Sequence, residues 1–97
     1  MVRHVILWTL KDGVDRESVK AGIKSGLEAL KGKIPGLIDI SVKTSALPSS
    51  NADLMLDSSF ESAEALKGYA VHPDHLKVAD ERVRPFTLSR SCFDFEV

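Results

Sequence analysis

The 97-residue chain reads as one α+β domain, with helices on one face of a four-stranded antiparallel sheet. Three observations predict this. Hydrophobic spacing alternates between period two and helical period in the order β-α-β-β-α-β. Glycine and proline clusters mark most of the changes. The length is enough for one core, and half of it would not fold alone. This element order is the split ferredoxin-like arrangement.

The elements follow in order. Val2 to Leu10 is apolar and β-branched and stops at Lys11-Asp12-Gly13; His4, Ile6 and Trp8 share one face and Val5 and Leu7 the other. From Asp15, the expected N-cap, Val19, Ile23, Leu27 and Leu30 recur three and four apart until Gly32 and Pro35-Gly36 end the helix. Leu37 to Thr44 is a second strand, with Ile38, Ile40 and Val42 expected on one face. Ser45 to Asn51 is a loop, and Ala52 to Phe60 a third strand. Ser59 or Ser62 opens a second helix carrying Ala63, Leu66 and Ala70. His72-Pro73-Asp74-His75 begins a short helical stretch to Arg82, since proline suits a first helical position. After Pro85, Thr87 to Val97 is the last strand, with Phe93 and Phe95 opposite Cys92 and Asp94.

Helices on one face leave the other bare. That side is expected to hold several of Val5, Leu7, Ile38, Ile40 and Val42, more apolar surface than a monomer keeps exposed. Pairing of two sheets across a two-fold axis into a dimeric α/β barrel covers it, so the expected partner is a second copy of the chain.

Composition narrows the functions. Hydrophobic residues at 43% and charged residues at 28% are ordinary for a globular domain. A net charge of −1 gives no field to draw nucleic acid or an anionic membrane, so neither is an expected partner. No stretch approaches the roughly 20 apolar residues of a membrane span. The apolar run after Met1 stops at Thr9 and Lys11, too short for a signal peptide, and the single Cys92 makes no intrachain disulfide; both point to the cytoplasm. There is no glycine-rich phosphate loop.

Met1-Val2-Arg3-His4-Val5-Ile6-Leu7-Trp8-Thr9-Leu10-Lys11-Asp12-Gly13, and Ser59 to Leu66 followed by Tyr69-Ala70-Val71-His72-Pro73-Asp74-His75, resemble the stress-responsive A/B barrel (Dabb) domain family over nearly the whole chain. The resemblance implies the dimeric barrel. Many members have no assigned reaction. One to which the similarity is distant, olivetolic acid cyclase of plants, catalyses an intramolecular aldol condensation. Its working residues correspond to Tyr69, His75 and His4, while Leu54 stands where that cyclase has a third-strand histidine.

The resemblance makes His75, Tyr69 and His4 the candidate catalytic residues. An imidazole titrates near neutrality, and a helix start beside His75 favours its neutral, base-competent form. Tyr69 offers a hydroxyl to polarise a carbonyl oxygen. The same residues have plainer readings: His75 as a cap, Tyr69 as a buried ring and His4 as a core histidine bonded to backbone. Trp8, Leu54, Phe86 and His72 complete the expected ligand-binding set for a small apolar or carbonyl-containing ligand, His72 also accepting helix-start amides. The cavity is expected between sheet and helices, at the Tyr69-to-His75 corner. Arg82 or Arg84 is a candidate for an anionic group, with nothing to select one. Cys92 is expected to be a buried, inert thiol.

No metal or cofactor is expected. His72, His75 and His4 have the number for a three-nitrogen zinc site, but Pro73 breaks the register that would aim two rings at one point. Three functions compete. The first is a cofactor-free cyclase, isomerase or lyase using the His/Tyr pair. The second is a non-catalytic stress or ligand-binding dimer, and the third a dimeric-barrel oxygenase or haem binder.

Overall fold

In the computed structural model, which describes residues 1–97, β1 (Val2–Leu10) runs through the middle of the sheet. It pairs antiparallel with β3 (Leu54–Phe60) on one side and β4 (Thr87–Glu96) on the other, while β2 (Leu37–Lys43) pairs with the far edge of β3. The order β2-β3-β1-β4 is that of a ferredoxin-like α+β fold. β1 has the composition a doubly paired strand needs, because successive residues alternate faces. Val2, His4, Ile6, Trp8 and Leu10 are buried under the helices, while Leu7 is exposed.

α1 (Arg16–Glu28) starts where Asp15 accepts a bond from the Ser18 amide at 3.2 Å, as the expected cap requires. It buries Val19, Ile23 and Leu27 against the sheet. Its last residue also protects an edge. The Glu28 carboxylate accepts from the Val42 amide at 2.9 Å and from Lys24 at 2.8 Å, and Lys24 donates to the Val42 carbonyl at 3.0 Å. Lys24, and then the Val42 amide, hold the Glu28 carboxyl below its usual pKa. One backbone pair of edge strand β2 is thereby closed to a further strand.

The second strand departs from expectation. Ile40 and Val42, expected on the outward side, are 4% and 0% exposed and lie in the core. The β2–β3 register shifts between Leu37 and Asp39, and the extra residue, Ile38, reverses the phase of the alternation. Leu37, Ile40 and Val42 are buried and Ile38 is exposed. The apolar content of the bare face comes instead from Val5 and Leu7 with Met55 of β3 and Phe93 and Phe95 of β4, which the pairing places on that side.

α2 (Ala63–Val71) is capped by Ser62, which accepts from the Ala65 amide at 3.1 Å. It ends at His72, whose ring caps the next helix, α3 (Pro73–Val78), by accepting from the Asp74 amide at 3.1 Å. The expected run to Arg82 is not uniformly α-helical. Residues Ala79–Val83 form a π-helical turn closed by the Arg84 amide on the Ala79 carbonyl at 2.8 Å, a widening frequent at functional sites. No helix is long and apolar enough to cross a membrane.

Gly36 fixes where α2 begins. Its φ of +80° puts it in the left-handed region, a side chain there would run into the Ala65 methyl, and its carbonyl accepts from the Glu61 amide at 2.9 Å. Gly36→Ala is therefore expected to cost about 2 kcal/mol or more from the backbone conformation and the collision together. Urea denaturation with an unchanged m-value checks this; a loss under about 0.5 kcal/mol, well below the backbone cost alone, would show that the turn relaxes freely.

Candidate active site

Between the inner face of β1 and β3 and the layer of α2, α3 and the π turn lies a cavity of about 340 Å³, at the small end of ligand pockets. Its walls are mostly apolar, with Ile6, Trp8, Leu27, Leu56 and Val83 among them, and its polar groups are His4, Tyr69, His75, Arg84, Thr87 and Arg90. The fold brings these together from distant parts of the chain. Strand alternation turns His4 and Trp8 inward, α2 carries Tyr69, and the break at Pro73 redirects the chain so that α3 presents His75.

Tyr69 is 2% exposed. Its ring lies 4.2 Å from that of His75 and 6.2 Å from that of His4, centroid to centroid, with Phe60 at 5.0 Å. The hydroxyl of Tyr69 and Nδ1 of His75 are both buried without a hydrogen-bond partner. A buried polar group left so costs roughly 1–3 kcal/mol, and folded proteins rarely tolerate two side by side. Burial pushes the Tyr69 phenol well above its ordinary pKa, so it stays a hydrogen-bond donor at physiological pH. Burial also pulls the His75 pKa down; the Ala70 backbone opposes this, and the guanidinium charges of Arg84 and Arg90 add to it. Sequence reasoning attributes the neutral imidazole to a helix start, whereas desolvation is its largest cause.

His4, 6% exposed, has its Nδ1 in a short hydrogen bond to the Asp94 carboxylate. With the proton on Nδ1, Asp94 fixes the tautomer that leaves Nε2 as an acceptor. Cys92 completes the group, its Sγ 3.7 Å from His4 Nδ1 and 3.5 Å from Asp94 Oδ1. The expectation of a buried thiol is corrected: Cys92 is exposed on edge strand β4, which no helix covers. Partial desolvation by its neighbours and the Asp94 carboxylate raise its pKa, so it rests as a thiol. Imidazole, thiol and carboxylate are donors a zinc ion takes, and the ligand atoms of these three residues lie within 4.8 Å of one another. Here Asp94 occupies the Nδ1 position itself.

The cavity thus gathers His4, Trp8, Tyr69 and His75. Three residues expected beside them lie outside its lining. Leu54 is in the core, one strand repeat from Leu56, which does line it. Phe86 packs against the other side of the core by Val14. His72 is spent on capping α3. Asp94, Cys92 and Arg90 escape sequence reasoning, and the one signal for them is strand pairing, which sets Asp94 opposite His4 and Arg90 opposite Trp8.

Comparison with known proteins decides the family. The model of the stress-responsive A/B barrel domain matches residues 2–97. The chain belongs to this family. A stress-response A/B barrel domain-containing protein of Arabidopsis thaliana is 33% identical over 87 residues, which are 88% of this chain and 32% of that protein; the chain thus spans about a third of that relative's length. An uncharacterized protein of Streptomyces coelicolor is 37% identical over 79 residues, 77% of this chain and 79% of that one. Among solved structures, a dimeric protein of unknown function and ferredoxin-like fold from Bacteroides fragilis is 30% identical with a TM-score of 0.90, covering 99% of this chain and 95% of that one.

The unpartnered hydroxyl makes a prediction. Tyr69→Phe removes a buried group that has no partner in the protein, so the variant is expected to be as stable as the parent or up to about 1 kcal/mol more stable. Thermal denaturation checks it; a loss above about 1 kcal/mol would mean that the hydroxyl is bonded in solution.

Proposed function

We propose that this chain is a cofactor-free enzyme that abstracts a proton from the carbon next to a carbonyl, the first step of a cyclisation, isomerisation or lyase reaction. The observation that carries this is the adjacent pair of buried, unpartnered groups, the Tyr69 hydroxyl and His75 Nδ1, in one cavity. One is a standing donor and the other a neutral base, which together fit a carbonyl and its α-hydrogen.

In the proposed step Tyr69 donates to the carbonyl oxygen while His75 takes the proton. The C–H electron pair becomes the C=C of the enolate, and the negative charge gathers on the oxygen held by Tyr69. The enolate then adds to a second carbonyl of the same molecule, is reprotonated at another carbon, or expels a β-substituent. His75 returns its proton and is neutral again. His4, held by Asp94, positions the ligand and accepts from its hydroxyl groups at Nε2.

The experiment is solvent deuterium exchange into a panel of aryl alkyl ketones and 1,3-diketones, followed by NMR. Enzyme-dependent exchange is expected, with His75→Asn lowering the rate about 100-fold or more and Tyr69→Phe lowering it comparably. Because the His75 pKa is depressed, the base form already prevails at neutrality. The rate should be flat around pH 7 and fall only as pH drops below the ordinary histidine value of about 6.5. Exchange no faster than buffer across the panel, or unaffected by His75→Asn, overturns the reading.

The proposal includes a homodimer formed through the bare face of the sheet. It is supported by Phe93 at 70% exposure beside Phe95 and Leu7, and by the dimeric state of the Bacteroides relative. Phe93→Glu is expected to convert a dimer into a monomer in multi-angle light scattering; a monomeric parent chain overturns this part.

A further inference from the structure

The electrical character of the cavity points to its ligand. Of the 14 residues around it, two are arginines and none is an aspartate or glutamate, although acids outnumber Lys and Arg in the whole chain by 14 to 13. The arginines are not equivalent. Arg84 is paired with Asp80 one helical turn away. Arg82, outside the cavity, donates to the Gly22 carbonyl at 3.2 Å and to Ser25 Oγ at 3.0 Å. Both arginines that the sequence offers for an anion are therefore engaged. Arg90 forms no ion pair. It stands on β4 directly across from Trp8, at the open edge of the cavity, near enough for its charge to act on Tyr69 and His75.

We propose that the ligand of this cavity is an amphipathic carboxylate, its apolar body lying against Trp8, Ile6 and Leu56 and its carboxylate gripped by Arg90. This rests on the acid–base reading of the same cavity and names the substrate class: a keto acid whose carbonyl meets Tyr69 and His75. A guanidinium matches a carboxylate with two parallel hydrogen bonds, fixing the orientation of the ligand as well as holding it. Arg90 is the one arginine of the lining without an ion-pair partner, and a single such cation suits a monoanion. A phosphate would call for further donors, and no glycine-rich loop supplies them.

The test compares 2-naphthoate with its neutral isostere 2-naphthamide by calorimetry on the full chain, with the site observed through the Tyr69 and His75 ring signals. The parent is expected to bind naphthoate about tenfold tighter, the lower end for a charge-assisted hydrogen bond because Arg90 is open to solvent. That preference should shrink as salt is added. Arg90→Gln should abolish the preference and leave naphthamide binding as it was, which also shows that the variant is folded. Arg90→Lys should keep part of the preference, and Arg82→Gln, outside the cavity, should change naphthoate binding less than about threefold. Equal affinity of the parent for the two probes, a preference that survives Arg90→Gln, or no binding of either probe overturns the proposal. Deuterium exchange on neutral ketones is read independently. If exchange persists while the preference is absent, the carboxylate assignment alone fails; if both are absent, the acid–base reading falls with it.

Discussion

The rest of this structure depends on the two-sidedness of β1. Paired along both edges, this strand has no freedom to roll, and its alternation decides what each layer receives. One parity supplies His4, Ile6 and Trp8 to the space under the helices, and the other supplies Val5 and Leu7 to the bare face. Burial of Ile6 and Trp8 in one cluster with Val19, Ile23 and Leu27 of α1 closes the core, since apolar area withdrawn from water is the main favourable term in folding. The cavity lies beside the junction of α2 and α3, with Tyr69 and His75 in its lining.

Holding that cavity open has a physical cost. A tyrosine hydroxyl and an imidazole nitrogen are buried without a partner in the protein, and a π turn replaces regular helix beside them. Each works against stability, and the three occur within one corner of an otherwise well-satisfied fold. Around the corner the supports are conventional: caps at Asp15, Ser62 and His72, the Glu28 clamp on β2, and Gly36 where α2 meets the preceding turn. Rigid surroundings of this kind are what keep a strained constellation in place.

Much of the architecture was legible in the residues. The changes of period gave the element order, and Ser62, Asp15 and Pro73 marked helix starts through chemistry that acts within a few residues. The facing of β2 was not legible, because one bulged residue at Ile38 reverses the phase and leaves no mark on the hydrophobic pattern. The site divided the same way. Tyr69 and His75 stand six residues apart in a recognisable stretch. The partnership of His4 with Asp94 and Cys92 joins opposite ends of the chain, and only strand pairing could have disclosed it. Arg90 was invisible for a different reason: its meaning comes from the ion pair it lacks, and that requires knowing where every carboxylate lies.

The alternation of β4 sets a rule for how this chain can change. Asp94 and Phe93 are consecutive, and one faces His4 while the other faces away from the helices. Sliding the strand by a single residue would exchange them, sending a phenyl ring toward the imidazole and a carboxylate out among the hydrophobes. A single insertion or deletion within the paired part of β4 would have the same effect unless a bulge like that at Thr9/Leu10 restored parity, whereas the turn before the strand can lengthen without touching the register. The spacing between Asp94 and the start of pairing is thereby held by the pleat of the backbone and not by the length of the loop that leads to it.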